Sequence, residues 1–170
     1  MRKVTVIASA SGNGKTTLGR ELARRLGVPF TEMDSLVHGP DWSETPDDEL
    51  RRRVEPIIAS DGWVIDGAYR GKLGDLLLDA ADVVVWLDLP MRVWLPRLLR
   101  RTYRRIRTRE ELWNGNTESL ANAVWGRESL LWFALASHRR RRRDYPAILE
   151  GRPVIRLTTP AAVARFLAEA

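Results

Sequence analysis

The residues best placed to do chemistry lie near the start of the chain: Ser9, Ala10, Ser11, Gly12, Asn13, Gly14, Lys15 and Thr16. They follow the spacing GxxxxGK[ST] everywhere but the first position, where serine stands for glycine. Such a loop turns consecutive backbone amides inward around an anion, and glycine both reaches the required angles cheaply and lets a phosphate come close. Lys15 then reaches the β- and γ-phosphates of a nucleoside triphosphate, and Thr16 offers its hydroxyl to magnesium. A helix opening here aims its positive dipole at the same anion. The cofactors implied are ATP and Mg2+, with Ser11, Gly12, Asn13, Gly14, Lys15, Thr16 and Thr17 as the binding residues. A glycine-rich strand-to-helix turn without a ligand is the plainer reading; the strand before, the helix after and the GKT triplet stand against it.

Phosphoryl transfer needs positioning, neutralisation of charge and a group that orients the acceptor. Asp34 and Asp66, each closing an apolar run, are the candidate acids. Asp34 can equally be a helix N-cap over Leu36 and Val37, and Asp66 a turn acid before Gly67. Arg70 either clamps an acceptor phosphate or carboxylate, or pairs with Asp75. Among Arg97, Arg100, Arg101, Arg104, Arg105, Arg107 and Arg109, the i, i+4 pairs Arg97/Arg101 and Arg101/Arg105 set one row on a single helix face. That row can close over the γ-phosphate, with Arg101 and Arg105 stabilising transferred charge and Arg97 holding the nucleotide; the rest read as a solvated face.

These residues must be held by elements in alternation. Residues 4–8 form a short β-branched strand, followed by a helix from about Lys15 to Leu26 that Gly27 stops. Residues 28–33 make a second strand ending at Asp34, with His38, Gly39, Pro40 and Asp41 as loop. Thr45 caps a helix with Pro46 at its first position and Asp47 and Asp48 in its first turn, running to about Ala59. Residues 63–65 form a third strand ending at Asp66, and 83–89 a fourth, apolar throughout as in a parallel sheet covered on both faces. Residues 91–145 are helical and arginine-rich, broken by a turn at Asn114 and Gly115. Residues 154–157 are a last strand, and Thr159 with Pro160 opens a closing helix through Ala168. The implied fold class is α/β: three layers around a five-stranded parallel sheet, ligands lying beyond the carboxyl ends of its strands.

At 170 residues and 44% hydrophobic content the chain fits one domain, 1–170, with one site and cover helices at about 91–145. It has no cysteine, which excludes disulfides and thiolate metal sites; cytoplasmic residence is the default. His38 and His138 are far apart, so no protein-built metal site is expected. No apolar run reaches the roughly 20 residues of a membrane span. The net charge of +6 suits an anionic partner. It comes almost wholly from arginine, which grips phosphate bidentately, though a GC-rich genome gives the same bias. The arginine run 139–143 would spread around a helix axis, which favours a solvated face over a nucleic-acid contact. Trp113, Trp125 and Trp132, with Leu130, Leu131 and Phe133, read as the packing of a helical cover.

The block Gly62, Trp63, Val64, Ile65, Asp66, Gly67, Ala68, Tyr69, Arg70 resembles the LDGFPR-like third-strand motif of adenylate kinases. By that resemblance Asp66 falls on the acid and Arg70 on the AMP-binding arginine. The stretch VVWLDLPMRVWLPRLLRR resembles the fourth strand and lid-entry helix of the same family, with Arg97 and Arg101 at its arginine positions. Together, WVIDGAY, VVWLDLP and ELWNGN resemble bacterial adenylate-kinase-related proteins of the topology-modulation (FlaR) type. The resemblance implies a P-loop nucleoside-monophosphate-kinase fold with strand order 2-3-1-4-5. Nothing after Arg101 matches the long zinc-ligating or β-stranded lid of larger adenylate kinases; a helical lid, as in shikimate or gluconate kinases, fits better. By the same likeness Asp34 orients the acceptor hydroxyl, Asp66 holds a magnesium-bound water, and Thr158, Thr159 and Pro160 pack against adenine. The implied function is transfer of the γ-phosphate of ATP to a small acceptor: a nucleotide, nucleoside or hydroxylated metabolite. The alternative is an ATP-binding regulator associated with nucleic acid. Oligomeric state is not legible.

Overall fold

The computed structural model describes residues 1–108, Asn114 and 130–170. Arg109, Trp113, Gly115 and Trp125, and the side chains of Leu130 and Leu131, lie outside the described residues.

Five strands, β1 (Lys3–Ala8), β2 (Phe30–Glu32), β3 (Trp63–Asp66), β4 (Val83–Leu87) and β5 (Val154–Leu157), form one sheet in the order β2-β3-β1-β4-β5. Every pairing is parallel, as the strand-helix alternation and the resemblance both imply. The register aligns Glu32 with Asp66, Val6 with Asp66, Ala8 with Leu87, and Leu87 with Leu157. The chain therefore delivers Ser9, Glu32, Asp66 and Asp88 to one edge of the sheet, where a parallel architecture binds ligands.

Alternation along β1 explains the layers. Val4, Val6 and Ala8 face one side with Leu18 and Leu22 of α1 (Lys15–Leu26), and Val163, Phe166 and Leu167 of the closing helix pack there too. Ile7 faces the other side with Val84, Trp86 and Leu149. Farther along that side, Trp63 and Ile65 pack with Met33, Val37, Leu50, Val54, Leu73 and Leu77. Those residues come from α2 (Met33–Val37), α3 (Asp47–Ala59), α4 (Arg70–Leu73) and α5 (Leu76–Asp79). A smaller cluster, Ala10, Trp94, Leu98 and Ala134, seats α6 (Met91–Thr108) and α7 (Leu130–Ile148) against the glycine loop. The last helix is α8 (Pro160–Glu169).

Three expectations are corrected. Strand β2 ends at Glu32, so Asp34 sits in the first turn of α2 instead of at a strand end. Thr45 does not cap α3: its hydroxyl donates to the Leu36 carbonyl oxygen at 2.8 Å, and α3 begins without a side-chain cap. Trp132 and Phe133 are 57% and 48% exposed, and the face α7 buries is Ala134, Ser137 and His138. Thr159, by contrast, caps α8 as expected, accepting from the Ala162 amide at 3.1 Å with Pro160 next in the chain. Among the described residues, no helix is long and apolar enough to cross a membrane.

Candidate active site

The loop between β1 and α1 is left-handed at Gly12 (φ 80°) and Gly14 (φ 90°). A Cβ on Gly14 would meet nothing within 4 Å, so the cradle is open in front of it. On Gly12 a Cβ would lie 2.8 Å from the Trp94 carbonyl oxygen and 2.9 Å from Leu98 Cβ, so this glycine also lets α6 sit on the loop. The Asn13 side chain braces the loop from within, donating to Ala10 O at 2.9 Å and accepting from the Leu89 amide at 3.0 Å.

Lys15 and Thr16, at the first turn of α1, converge on the carboxylate of Asp66. Lys15 Nζ lies 2.5 Å from Asp66 Oδ1, and Thr16 Oγ1 donates to Asp66 Oδ2 at 2.6 Å. Asp66 is only 2% exposed. A second acid stands beside it in register: Glu32 Oε1 is 3.3 Å from Thr16 Oγ1, and Glu32 Oε2 accepts from Arg20 at 3.2 Å. Carrying β2 on through Met33 hides Glu32; a strand ending level with Asp66 is the signal that finds it.

Asp34 projects into the same cavity, of about 1590 Å³, and accepts a hydrogen bond from the Tyr69 hydroxyl. Burial, and next the Asp34 charge, push the Tyr69 phenol well above its ordinary range, so it remains a donor. Tyr69 is itself left-handed (φ 42°) and lies 3.5 Å from His38 Nε2. Arg70 lines the cavity but its Nε is paired with Asp75 at 2.5 Å, so the ion pair is the arrangement observed. Arg97, Arg101 and Arg105 line the cavity from one face of α6, as their spacing requires, and Arg104 joins them. Ser11, Gly12, Asn13, Gly14, Lys15, Thr16, Thr17 and Pro160 line it too. Thr159 and Asp66 are outside the lining, Asp66 bonded to Lys15 and Thr16 and Thr159 next to Pro160 in the chain.

The serine at the first loop position has a structural cause. Ser9 is fully buried; its hydroxyl donates to Asp88 Oδ1 at 2.7 Å and accepts from Trp86 Nε1 at 2.9 Å. Asp88, 2% exposed at the end of β4, also takes Arg142 Nε at 3.0 Å and Arg156 Nη2 at 2.5 Å. Arg141 donates to the Ala8 carbonyl oxygen at 3.2 Å, and Arg143 pairs with its neighbour Asp144. The arginine run 139–143 is therefore not a uniformly solvated face: two members tie α7 to the shoulder of the loop. The one acid inside the apolar run VVVWLDLP was the available signal for Asp88.

The chain is similar to known proteins both in sequence and in fold. The shikimate kinase family model matches residues 11–45. The shikimate kinase of Brucella suis biovar 1 is 27% identical over 116 residues, 60% of this chain and 58% of that one. The shikimate kinase of Sulfurihydrogenibium sp. is 30% identical over 101 residues, 51% of this chain and 61% of its own. Shikimate kinase from Acinetobacter baumannii, in complex with shikimate, superposes with a TM-score of 0.60 at 18% identity, covering 99% of this chain and 90% of that one. The corresponding enzyme from Bacteroides thetaiotaomicron gives 0.58 at 16% identity, covering 99% and 96%.

The chain has the fold of the shikimate kinases. It spans under two thirds of the length of the relatives matched by sequence. Among the described residues, α6 and α7 cover the cradle and no strand lies between α6 and β5.

Proposed function

We propose that this shikimate-kinase-like chain transfers the γ-phosphate of ATP-Mg to a hydroxyl of a small acceptor. The observation that carries this reading is the convergence of Lys15, Thr16 and Asp66 at the open mouth of the Gly14 cradle, on a cavity that Asp34 also lines.

The donor set suits magnesium. Asp66 and Glu32 supply hard oxygens from adjacent strand ends and Thr16 Oγ1 another from the first turn of α1, and no group of three or more His, Cys, Asp or Glu gathers among the described residues. Magnesium prefers one or two protein oxygens, with waters and substrate phosphates completing its shell. Thr16 and Asp66 would hold it, and when bound it neutralises charge on the β- and γ-phosphates. Lys15 contributes a point charge to the same oxygens and the loop amides a fixed nest. Arg101 and Arg105 stabilise charge from the cover, Arg97 and the loop at Thr159 and Pro160 flank the nucleotide, and Arg70 borders the acceptor. Asp34 orients the acceptor hydroxyl and takes its proton, with Oδ1 held by the Tyr69 hydroxyl.

Calorimetric titration with ATP-Mg, paired with an ATP-consumption screen over hydroxylated metabolites, nucleosides and nucleoside monophosphates, tests the reading. Lys15→Ala should lose both binding and turnover. Equal turnover by Lys15→Ala, or no triphosphate binding by the folded protein, removes it.

A further inference from the structure

We infer that Tyr69 is a positioning residue for phosphotransfer: its hydroxyl, delivered by a strained turn after β3, holds the Asp34 carboxylate where the acceptor hydroxyl must be met. The inference rests on the phosphotransfer reading and adds to it the device that aims Asp34. Both residues line the cavity.

Asp34 needs such a device. It sits in the first turn of α2, a helix of five residues. Among the described residues the one side chain bonded to its carboxylate is Tyr69, whose hydroxyl donates to Oδ1. A carboxylate left to its own torsions samples several rotamers, and a reacting group displaced by about 1 Å can cost 100-fold in rate. The donor is also of the right kind. A lysine or arginine would cancel the charge that draws the acceptor proton, whereas a phenol fixes the oxygen and leaves that charge in place. Burial, and next the Asp34 charge, keep the phenol protonated well above its ordinary range, so the hydrogen bond lasts wherever the protein works. His38 Nε2 lies 3.5 Å from the same hydroxyl.

The backbone bears a cost to put the hydroxyl there. Tyr69 is left-handed (φ 42°), a conformation that a bulky side chain keeps only where its surroundings over-determine it. Those surroundings are visible on every side. The Tyr69 carbonyl oxygen accepts from the Lys72 and Leu73 amides, each at 2.9 Å, so this residue opens α4. Leu73 then plugs α4 into the core beside Met33 and Trp63. Arg70, next in the chain, pairs with Asp75 at 2.5 Å, and Arg152 ties down Asp75 at 3.2 Å and Asp79 at 2.6 Å. Lys72 reaches the other way, to Glu44 at 3.0 Å and Asp47 at 3.1 Å. Gly67 (φ 103°) brings the turn close to α2: a Cβ built on it would lie 3.5 Å from both Met33 Cβ and the Tyr69 ring. The ion pair that occupies Arg70 therefore clamps α4, and through α4 it fixes the direction of the Tyr69 side chain.

The test is a double-mutant cycle of Tyr69→Phe and Asp34→Asn, read as ADP release. Shikimate, gluconate, AMP and adenosine are offered in turn as acceptors, and water, the acceptor of basal ATP hydrolysis, serves if none of them speeds the rate. Tyr69→Phe keeps the ring and removes the hydroxyl. Its kcat should fall about 10- to 100-fold, the scale of a misaimed reacting group, with the KM for ATP-Mg within about twofold of wild type. Asp34→Asn alone should lose about 100- to 10,000-fold. Adding Tyr69→Phe to it should cost no more than about a further twofold, because a hydroxyl that acts through Asp34 then has nothing left to aim. Tyr69→Asn, a residue type suited to left-handed backbone, is the second probe should the phenylalanine variant melt below the assay temperature; it should lose kcat to a similar degree. A folded Tyr69→Phe protein with kcat within about twofold of wild type, losses that multiply in the double variant, or a KM for ATP-Mg that rises as far as kcat falls each overturn the inference. ATP consumption that is absent from wild type, or unchanged by Lys15→Ala, removes the phosphotransfer reading itself. Consumption that needs Lys15 but ignores Tyr69→Phe removes only the positioning role.

Discussion

Gly12 and Gly14 carry the same left-handed backbone two residues apart, yet alanine at each should do opposite things. At Gly14 the new methyl meets nothing within 4 Å, so the protein bears only the left-handed penalty, about 1–2 kcal/mol. At Gly12 the methyl lands 2.8 Å from the Trp94 carbonyl oxygen and 2.9 Å from Leu98 Cβ. A backbone oxygen cannot swing aside, so α6 must shift over the loop. Overpacking of that kind adds about 1–3 kcal/mol, bringing Gly12→Ala to roughly 2–5 kcal/mol in all. For a chain of this size, 1 kcal/mol moves the melting temperature by about 2–4 °C. Gly12→Ala should therefore melt about 4–20 °C below wild type, and Gly14→Ala about 2–8 °C below it. Binding reverses the order: the Gly14 methyl occupies the space a phosphate needs and should abolish ATP-Mg affinity at a temperature where the protein is fully folded. Scanning fluorimetry and calorimetry on the pair give both numbers. If Gly12→Ala melts within about a degree of wild type, or less stable protein comes from Gly14→Ala, the account of α6 resting on the loop is wrong.

Three further outcomes follow from the buried polar groups. Ser9→Ala strands the Trp86 indole N–H and removes one donor from Asp88; urea unfolding should show a loss of about 1–3 kcal/mol. Arg142→Gln, its side chain 47% exposed, should cost under about 1 kcal/mol, as a partly solvated ion pair does. Burial, and next the Arg142 charge, depress the His138 imidazole pKa. The unfolded chain then takes up that proton first, so the stability His138 supplies is complete above its ordinary pKa of 6.5 and drains away as pH falls through the lower folded value. His138→Gln should flatten urea midpoints between neutral pH and the acid side of that window; an unchanged slope refutes the assignment.

Periodicity and the glycine loop were enough to read the sheet, its parallel sense and the Lys15, Thr16 and Asp66 cluster. The reasons are local: an apolar β-branched run, a glycine stop and a GKT triplet each dictate their own geometry. What escaped depended on register and on contacts between distant segments. Glu32 was hidden by a strand end misplaced by one residue, because Met33, buried and apolar, continues the strand pattern while serving α2. Arg141 and Arg142 lie in a run whose periodicity has no inside, so only the docking of α7 shows which members face the loop. Tyr69 left no trace in pattern at all; its backbone conformation and its grip on Asp34 exist only once β3 and α2 are side by side.

The buried link between Ser9 and Asp88 bears on how such chains can diverge. Glycine at position 9 would strip Asp88 of its uncharged donor, and an apolar residue at 88 would leave the Ser9 hydroxyl with only the Trp86 indole. Neither change is easily tolerated first, so the two positions should pass through lineages as a pair, serine with aspartate or glycine with an apolar residue. A loop that looks one letter short of its motif is then half of a two-letter unit whose other half lies 79 residues away.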